Sequence, residues 1–293
     1  MRPAYIFMAP AIVGFSVFVI YPLFASAYYA MTSYNGLSDP RLVGFQNFID
    51  MFTKDPSFFP SLWATGYLVV LYVPLSLVIG LALAVFANAR MKAVGLVRTL
   101  LYLPVVLPVV ATVTLWKFVF DPQVGLANMV LGAFHIGPLL WLSSSTTIMP
   151  SIVIVMLWGV GSTMIIFIAA LQAVPAELYE AAKLDGAGAG TIFFRVTLPV
   201  ISPIIILQIV LQLTTAMQAF AQPAILSPDG QGGPGFSSNT LMLSLYNHAF
   251  PKLGNIPELG YASAQVWVLF IVIVAVVALT ARFSSVWSYS DND

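Results

Sequence analysis

The amino-acid sequence predicts an all-α protein that crosses a lipid bilayer six times and carries one further helix in water. Of its 293 residues, 60% are hydrophobic and only 8% are charged, whereas a soluble domain carries about 25% charged residues. Six stretches are apolar over the roughly 20 residues that a helix needs to cross a bilayer. A further segment, at about residues 174–186, is short, charged and rich in small residues. We therefore expect a polytopic membrane protein in which residues 1–293 form a single transmembrane domain.

The six spans are placed where charged residues are rare, because an ionised group in the middle of a bilayer costs several kcal/mol. They cover about residues 5–31, 60–88, 99–120, 148–171, 198–222 and 259–283. Prolines interrupt them, and such breaks persist in lipid where neighbouring helices satisfy the freed carbonyl groups. These prolines predict either kinked packing or hinges, and they are Pro22, Pro74, Pro104, Pro108, Pro199 and Pro203.

The distribution of basic residues predicts the orientation, since cytoplasmic loops carry an excess of Lys and Arg. One side of the predicted topology has Arg2, Arg90, Lys92, Arg98, Lys183, Arg195 and Arg282. The other side has Arg41, Lys54, Lys117 and Lys252. Both termini and residues 172–197 are therefore expected in the cytoplasm, and residues 32–59, 121–147 and 223–258 outside. The Gly and Pro content of residues 223–258 predicts an irregular loop facing water.

The segment at 174–186 has the features of a helix with a flat face. Pro175 suits the first turn, where a missing N–H is no loss, and Gly186 suits a left-handed C-terminal cap. One face, at i, i+3, i+4 and i+7 spacing, consists of Leu178, Ala181, Ala182 and Asp185. The alanines would let the backbone of a soluble partner approach closely. The alternative is an amphipathic helix on the membrane surface, which usually carries bulkier apolar residues and more Lys or Arg.

This segment resembles the EAA signature of the membrane subunits of binding-protein-dependent ABC importers. The signature reads E-A-A, three residues, G, nine residues and I-x-L-P. Its elements here, with Val in place of Ile, are Glu180-Ala181-Ala182, Gly186 and Val196-Thr197-Leu198-Pro199. Other stretches are similar to carbohydrate-importer permeases, in particular to the larger subunit of maltose permease. They are residues 7–35, Val43–Phe48, Arg98-Thr99 with Leu103-Pro104, the GGPG at 232–235 with Asn239-Thr240, and Gly260–Ala264.

The resemblance implies a permease subunit of a bacterial cytoplasmic membrane, not itself an enzyme, which imports an oligosaccharide or a related polyhydroxylated solute. The implied partners are a second related permease, two ATP-binding subunits and an extracytoplasmic solute-binding protein, with ATP and magnesium bound in the partner subunits. The helix at 174–186 would be a coupling helix that seats in a cleft of the ATP-binding subunit. The residues that take these roles are Glu180, Ala181, Ala182, Asp185, Gly186, Leu198 and Pro199.

Polar side chains on the fifth span allow two interpretations. Within about 80° of one another on an ideal helix lie Gln208, Gln212, Thr215 and Gln222. They either form hydrogen bonds to neighbouring helices or line a water-filled path in which their amides bind sugar hydroxyls. On the fourth span, Trp158 and Ser162 would add a stacking face and a hydroxyl. The resemblance implies that the substrate cavity lies between these two spans.

Several other chemistries lack support. The chain has no cysteine, which excludes disulfides and thiolate sites. Gly186, Gly188 and Gly190 follow a helix rather than a strand, so they do not match a dinucleotide-binding loop. The eleven basic and eleven acidic residues give no basic surface for nucleic acid, and the isolated His135 and His248 predict no metal site.

Two alternative transport functions stay open, and one alternative class is disfavoured. An ion-coupled secondary transporter usually has an ionisable residue inside its spans, and here only Lys117 and Asp121 come near, at a membrane edge. An ABC importer for a non-sugar solute, such as a glycerol-phosphate-type compound, fits the same signature. A membrane enzyme would need clustered His, Asp, Glu or Cys, which the sequence does not have.

Overall fold

The computed structural model describes residues 2–89 and 93–284 and consists almost entirely of helices. The predicted all-α class is confirmed. Within the described residues the β-structure is one short ladder, in which β1 (Thr32–Ser33) pairs antiparallel with β2 (Arg41–Leu42). The α-helices are α1 (Arg2–Phe15), α2 (Tyr21–Ala30), α3 (Gln46–Thr53), α4 (Phe58–Asn88), α5 (Val94–Val106), α6 (Val109–Val119), α7 (Leu126–Ala133), α8 (Ile148–Leu157), α9 (Gly161–Gln172), α10 (Ala176–Leu184), α11 (Ala189–Ile192), α12 (Leu198–Val200), α13 (Ser202–Met217), α14 (Ala221–Leu226), α15 (Leu241–Ala249) and α16 (Leu259–Ser284). The tighter and wider turns are the π-helical Ser16–Ile20 and Phe193–Thr197 and the 3-10 turn Pro234–Phe236.

Four helical stretches are long and apolar enough to cross a bilayer: Phe7–Ala30, Phe58–Asn88, Ser202–Leu226 and Leu259–Arg282. Two further candidates are bent pairs of helices. The angle between α5 and α6 is 97°, and that between α8 and α9 is 48°. If each bent pair counts as one span, the described part of the chain has up to six candidate spans by length and composition.

The two bends have different causes. Leu107 and Pro108 separate α5 from α6, and both are extended, with ψ angles of 141° and 127°. A residue before proline is disfavoured in the helical region, so the predicted role of Pro108 as a break is confirmed. No proline separates α8 from α9, where the break includes Gly159. The span predicted at 148–171 is therefore interrupted at a position that the proline pattern did not mark.

Helix α4 lies at the centre of the bundle and packs against α8, α9 and α13. Its contact with α9 depends on Gly80, because a Cβ atom there would lie 2.6 Å from the Thr163 Cγ2 atom. Leu68 of α4 and Ile152 of α8 are fully buried in the same core. Helix α4 runs through Pro74 without interruption. It therefore forms the framework that positions the polar side chains described below.

Residues 223–258 do not form the irregular, water-facing loop that the sequence predicted. Helix α15 lies within them, and Ser238, Asn239 and Thr240 are buried. The Asn239 Nδ2 atom donates to the Ser61 Oγ atom of α4 at 2.8 Å, and the Thr240 hydroxyl donates to the Ala219 carbonyl oxygen at 2.9 Å. This stretch can enter the core because its polar groups find partners there. The longest exposed stretch of the segment lies at about 250–256, where Leu253 is fully exposed.

The described basic residues from the two predicted sides are found at different ends of the helices. Arg98 donates to the carbonyl oxygen of Ala87 at the end of α4, at 3.0 Å. Lys117 donates to the Ile225 carbonyl oxygen at 3.1 Å, and Lys252 to the Asp229 carbonyl oxygen at 2.8 Å. Arg90, Lys92 and the side chain of Arg2 lie outside the described residues. Which end faces the cytoplasm stays a prediction.

Candidate functional site

The helix predicted at 174–186 is present as α10, with well-defined ends. Pro175 is its N-cap residue, one position before the first turn in which the sequence placed it. Gly186 has a φ of +76°, and its N–H donates to the Lys183 carbonyl oxygen at 3.0 Å. The Ala187 N–H donates to the Ala182 carbonyl oxygen, also at 3.0 Å. This pair of bonds is a Schellman motif, so the predicted left-handed cap is confirmed.

The face predicted on α10 is divided between the interior and the surface. Ala182 is half-buried on the side of the helix that carries Tyr179, whereas Ala181 and Asp185 are exposed. Leu184, which the sequence analysis did not single out, is 89% exposed. We call the surface formed by Leu178, Ala181, Leu184 and Asp185 the α10 face. Its two leucines flank a small residue, and a bare leucine at the end of a helix is suited to insertion into a partner.

A chain of short helical pieces joins α10 to the span that begins at α13. Gly186 and Gly188 follow α10, and then come α11, the π-helical turn and α12. Leu198 and Pro199 both lie in α12, partly buried. Thr197 is 5% exposed, and its hydroxyl donates to the Tyr179 hydroxyl oxygen of α10 at 3.2 Å. The end of the EAA-like signature therefore contacts the residue that directly precedes Glu180.

The two glutamines of α13 belong to a buried network between three helices. The Gln212 Oε1 atom accepts a hydrogen bond from the Tyr72 hydroxyl of α4 at 2.9 Å. The Gln212 Nε2 atom donates to the Thr163 Oγ1 atom of α9 at 2.8 Å and to the Gln208 Oε1 atom at 3.3 Å. Gln208 is 0% exposed and Gln212 8% exposed. These contacts correspond to the interhelical interpretation of the two amides.

One donor in this network has no partner within the described chain. The Gln208 Nε2 atom is buried without a hydrogen bond. Tyr72 and Thr163 were missed by the sequence analysis, because each is a single polar residue in an apolar helix and gives no periodic signal. Gly80 leaves room for the Thr163 side chain, but this relation is visible only once the packing of α4 on α9 is known. A buried amide donor without a partner is costly, so the network is sensitive to substitution.

The other predicted path residues face outwards from the chain. Thr215 is exposed, and its hydroxyl donates within its own helix to the Leu211 carbonyl oxygen at 2.9 Å. Ser162 is exposed at the start of α9. Trp158 is 48% exposed, and its ring packs edge-on against Trp116 with centroids 5.4 Å apart. The structure therefore separates Gln208 and Gln212 from these three residues.

A cavity of about 200 Å³ lies beside the bend between α8 and α9. Trp158 and Gln222 both line it, together with Thr112 of α6. Gln222 is not on the same continuous helix as Gln212, because α13 ends at Met217 and α14 begins at Ala221. The predicted alignment of Gln222 with the other three residues is wrong for that reason. The cavity is smaller than the roughly 300–1,000 Å³ of most small-molecule sites.

A larger, polar cavity of about 630 Å³ lies near the other end of the helices, between α3, α16 and the segment after α2. There the Tyr261 hydroxyl donates to the Asp55 Oδ2 atom at 2.5 Å, and the His248 ring packs on the Tyr261 ring. Burial opposes ionisation of Asp55, but hydrogen bonds from Tyr261 and Ser57 outweigh it and hold the pKa of that carboxyl below its usual range. This contact connects the segment before α4 to the start of α16.

Comparison with known proteins places these features in context. The family described as "Binding-protein-dependent transport system inner membrane component" matches residues 74–288. The chain is similar to the probable ABC transporter permease protein YesP of Bacillus subtilis (strain 168), with 35% identity over 98% of this chain and 92% of the relative. It is 33% identical to the diacetylchitobiose uptake system permease protein NgcF of Streptomyces coelicolor, over 93% of this chain and 79% of the relative.

The fold is also found among solved structures. A chain of a bacterial alginate ABC transporter, in complex with an alginate pentasaccharide-bound periplasmic protein, superimposes with a TM-score of 0.83. The alignment covers 97% of this chain and 94% of that chain at 20% identity. At this identity the likeness concerns the fold alone.

Proposed function

We propose that this chain, which belongs to the family of binding-protein-dependent transport system inner membrane components, is the permease subunit of a sugar ABC importer. It moves an oligosaccharide or a related polyhydroxylated solute across the cytoplasmic membrane of a bacterium. Energy comes from ATP hydrolysis in partner subunits, which bind ATP and magnesium, and the chain itself catalyses no reaction. Its termini and α10 face the cytoplasm, as the distribution of basic residues predicts.

One observation carries this proposal: α10 is a short, capped helix outside the candidate spans that presents an exposed face of small and apolar residues. A membrane-surface helix would bury such a face in lipid headgroups and carry more Lys or Arg. Here Leu184 and Ala181 are exposed beside the carboxylates of Glu180 and Asp185. Leu198 and Pro199 then return the chain towards the spans. This arrangement suits docking into an ATP-binding subunit.

The names of the relatives support a sugar as the solute. One of them takes up diacetylchitobiose, and the structural neighbour belongs to an alginate transporter. In this chain we propose that Trp158, Ser162 and Thr215 face the solute path, since they offer an aromatic ring and hydroxyls at exposed positions. Gln208 and Gln212 hold α13 to its neighbours and shape that path. The cavity at Trp158 is small, so a second, related permease would complete the path.

Ion-coupled transport finds no support in the spans. The candidate spans of the described chain contain no Asp or Glu, whereas coupling ions and protons usually require an ionisable residue at membrane depth. A solute-binding protein at the outer face would therefore deliver the solute, and two ATP-binding subunits would drive its release inwards.

The test reconstitutes the purified chain in a membrane together with its second permease. It then measures whether this pair retains an ATP-binding subunit. We expect the wild-type chain to retain the ATP-binding subunit and Ala181→Trp to lose it, because a large ring on the α10 face prevents close approach. Ala133→Trp, on an exposed position of α7, is the matched control and should retain it. Equal retention by all three proteins would reject α10 as the docking element.

A further inference from the structure

Helix α10 joins two spans through connections of different stiffness. On its N-terminal side, three residues, 173–175, separate it from α9, and Val174 among them is buried. On its C-terminal side, Gly186 and Gly188 lead to α11, and neither has another atom within 4 Å of the position of a Cβ. A glycine-containing linker in open space is conformationally permissive, so displacement of α10 is passed directly to α9 but poorly along the backbone to α13.

Tyr179 provides a second connection to α13. It is the member of α10 that packs against the buried cluster formed by α4, α9 and the start of α13, which includes Ala84, Phe167 and Ile201. An open groove of about 540 Å³ lies beside α10, and Tyr179 and Thr197 both line it. The hydroxyl of Tyr179 accepts the hydrogen bond from Thr197 in the wall of this groove.

Thr197 lies where a displacement of Tyr179 would act on the following span. It ends the π-helical turn Phe193–Thr197 and directly precedes Leu198. A π-helical turn inside an α-helix is rare and often occurs at functional sites. Thr197 also contacts the Ile192 carbonyl oxygen at 3.5 Å, a longer distance than its bond to Tyr179. The shorter of the two hydrogen-bond contacts of the Thr197 hydroxyl is therefore the one to α10.

We propose that Tyr179 is a positioning residue that passes displacement of α10 to α13 through its hydrogen bond with Thr197. This inference rests on the proposed function, because it assumes that an ATP-binding subunit moves α10. It assigns to Tyr179 a role separate from docking, since its side chain points away from the α10 face.

The experiment uses the reconstituted complex of this chain with its second permease and ATP-binding subunits. All variants carry Thr215→Cys as a reporter, which is the only thiol of this cysteine-free chain. The rate of labelling by a maleimide is measured with and without ATP and Mg²⁺, alongside ATP hydrolysis. Tyr179→Phe keeps the ring and removes the acceptor, and Thr197→Val removes the donor while keeping the shape. Thr214→Val is the matched control, because that hydroxyl bonds only to Val210 of its own helix.

We expect ATP to change the labelling rate in the reporter chain, and each of the two variants to reduce that change by about two- to tenfold, the factor that one hydrogen bond supports. ATP hydrolysis and assembly should persist, the double variant should match either single variant, and Thr214→Val should behave as the reporter chain.

Unchanged ATP-dependent labelling in Tyr179→Phe and Thr197→Val would overturn the inference and leave the proposed function intact. Additive effects, or poor assembly with normal labelling changes, would also overturn it. Failure of the reporter chain to bind ATP-binding subunits would reject the proposed function itself.

Discussion

Helices α10 and α13 each carry a set of polar or small residues, but they use them in opposite ways. Most of the set on α10 lies at the surface, where Ala181, Leu184 and Asp185 are exposed. The amides of α13 are turned inwards, and Gln212 alone forms three hydrogen bonds with Tyr72, Thr163 and Gln208. The side chains of α10 are therefore accessible at the surface, whereas the amides of α13 hold its own bundle together.

The difference teaches how an inward-bonded residue can be distinguished from an outward-facing one on the same helix. Gln212 and Thr215 are three residues apart, yet the first is buried and the second exposed. Substituting an inward-bonded residue should change stability, whereas substituting an outward-facing residue should change what the chain does with its partners. The first predictions below test that rule at pairs of positions.

The largest contrast is expected in the accessibility of two cysteines in the segment at 223–258. Leu253→Cys should react readily with an impermeant thiol reagent added outside intact cells, because that position is fully exposed. Asn239→Cys should be labelled at least about tenfold more slowly, because Asn239 is 3% exposed and packs on Ser61. Similar labelling of both would contradict the inward position of Asn239, and labelling only from the cytoplasmic side would invert the topology.

The next largest effect is expected for Gln212→Leu. This change leaves the Tyr72 hydroxyl and the Gln208 amide without their shared partner, and buried groups left unsatisfied cost about 1–3 kcal/mol. Hydrogen bonds between membrane helices contribute on average about 0.6 kcal/mol. We therefore expect the free energy of unfolding to fall by an amount near the lower end of that range, about 1–2 kcal/mol. Thermal unfolding of the purified complex measures it.

Thr215→Val is the matched control for that substitution. Its hydroxyl bonds only to the Leu211 carbonyl oxygen of its own helix, so stability should stay within about 0.5 kcal/mol of wild type. Solute uptake per assembled complex should fall severalfold instead if Thr215 faces the path. Reduced uptake by Gln212→Leu at unchanged stability would show that Gln212 meets the solute rather than its neighbouring helices.

The sequence predicted those features that depend on local composition. Apolar runs marked the spans, Gly186 marked the end of α10, and Pro108 marked a break. Features that depend on contacts between distant residues were not visible. Asn239 can be buried because Ser61 lies opposite it and accepts its hydrogen bond. The break at Gly159 could not be predicted from the proline pattern, because no proline lies at that position.

The sequence also could not show which face of each helix points towards the rest of the bundle. Helical spacing places Leu178, Ala181 and Ala182 on one side of α10, but only the position of the bundle shows that Ala182 turns towards it. The same spacing groups Gln212 with Thr215. Periodicity measures the angle between residues on one helix, whereas burial depends on where neighbouring helices lie.

A smaller effect is expected from substituting either of the two glycines, Gly186 and Gly188, that follow α10. Gly186→Ala places a side chain at a φ of +76°, which costs about 1 kcal/mol in the left-handed region. The C-terminal turn of α10 should fray, and binding of an ATP-binding subunit should weaken by about fivefold. Gly188→Ala is the control, because its φ of −74° is ordinary and no atom lies near. Equal binding by the two variants would show that the cap does not maintain the α10 face.

The smallest effect is expected for Tyr261→Phe, an inward-bonded residue at the opposite end of the molecule from α10. Its hydroxyl helps to hold the pKa of Asp55 below its usual range. A carboxyl whose pKa is lowered on folding stabilises the protein above its unfolded pKa, and this stabilisation is lost as the pH falls through the folded pKa. Because Asp55 is only partly buried, solvent screening limits the contribution to about 0.5 kcal/mol.

The variant should therefore unfold at a slightly lower temperature than wild type at pH 7, and the difference should shrink below about pH 4. Asp50, whose pKa is lowered by its hydrogen bonds with Lys54 and Gln46, is present in both proteins, so comparison of the two unfolding curves isolates Asp55. A difference that stays constant from pH 7 to pH 3 would mean that the Tyr261 hydroxyl stabilises the protein independently of the charge on Asp55, because the variant keeps the ring that packs against His248.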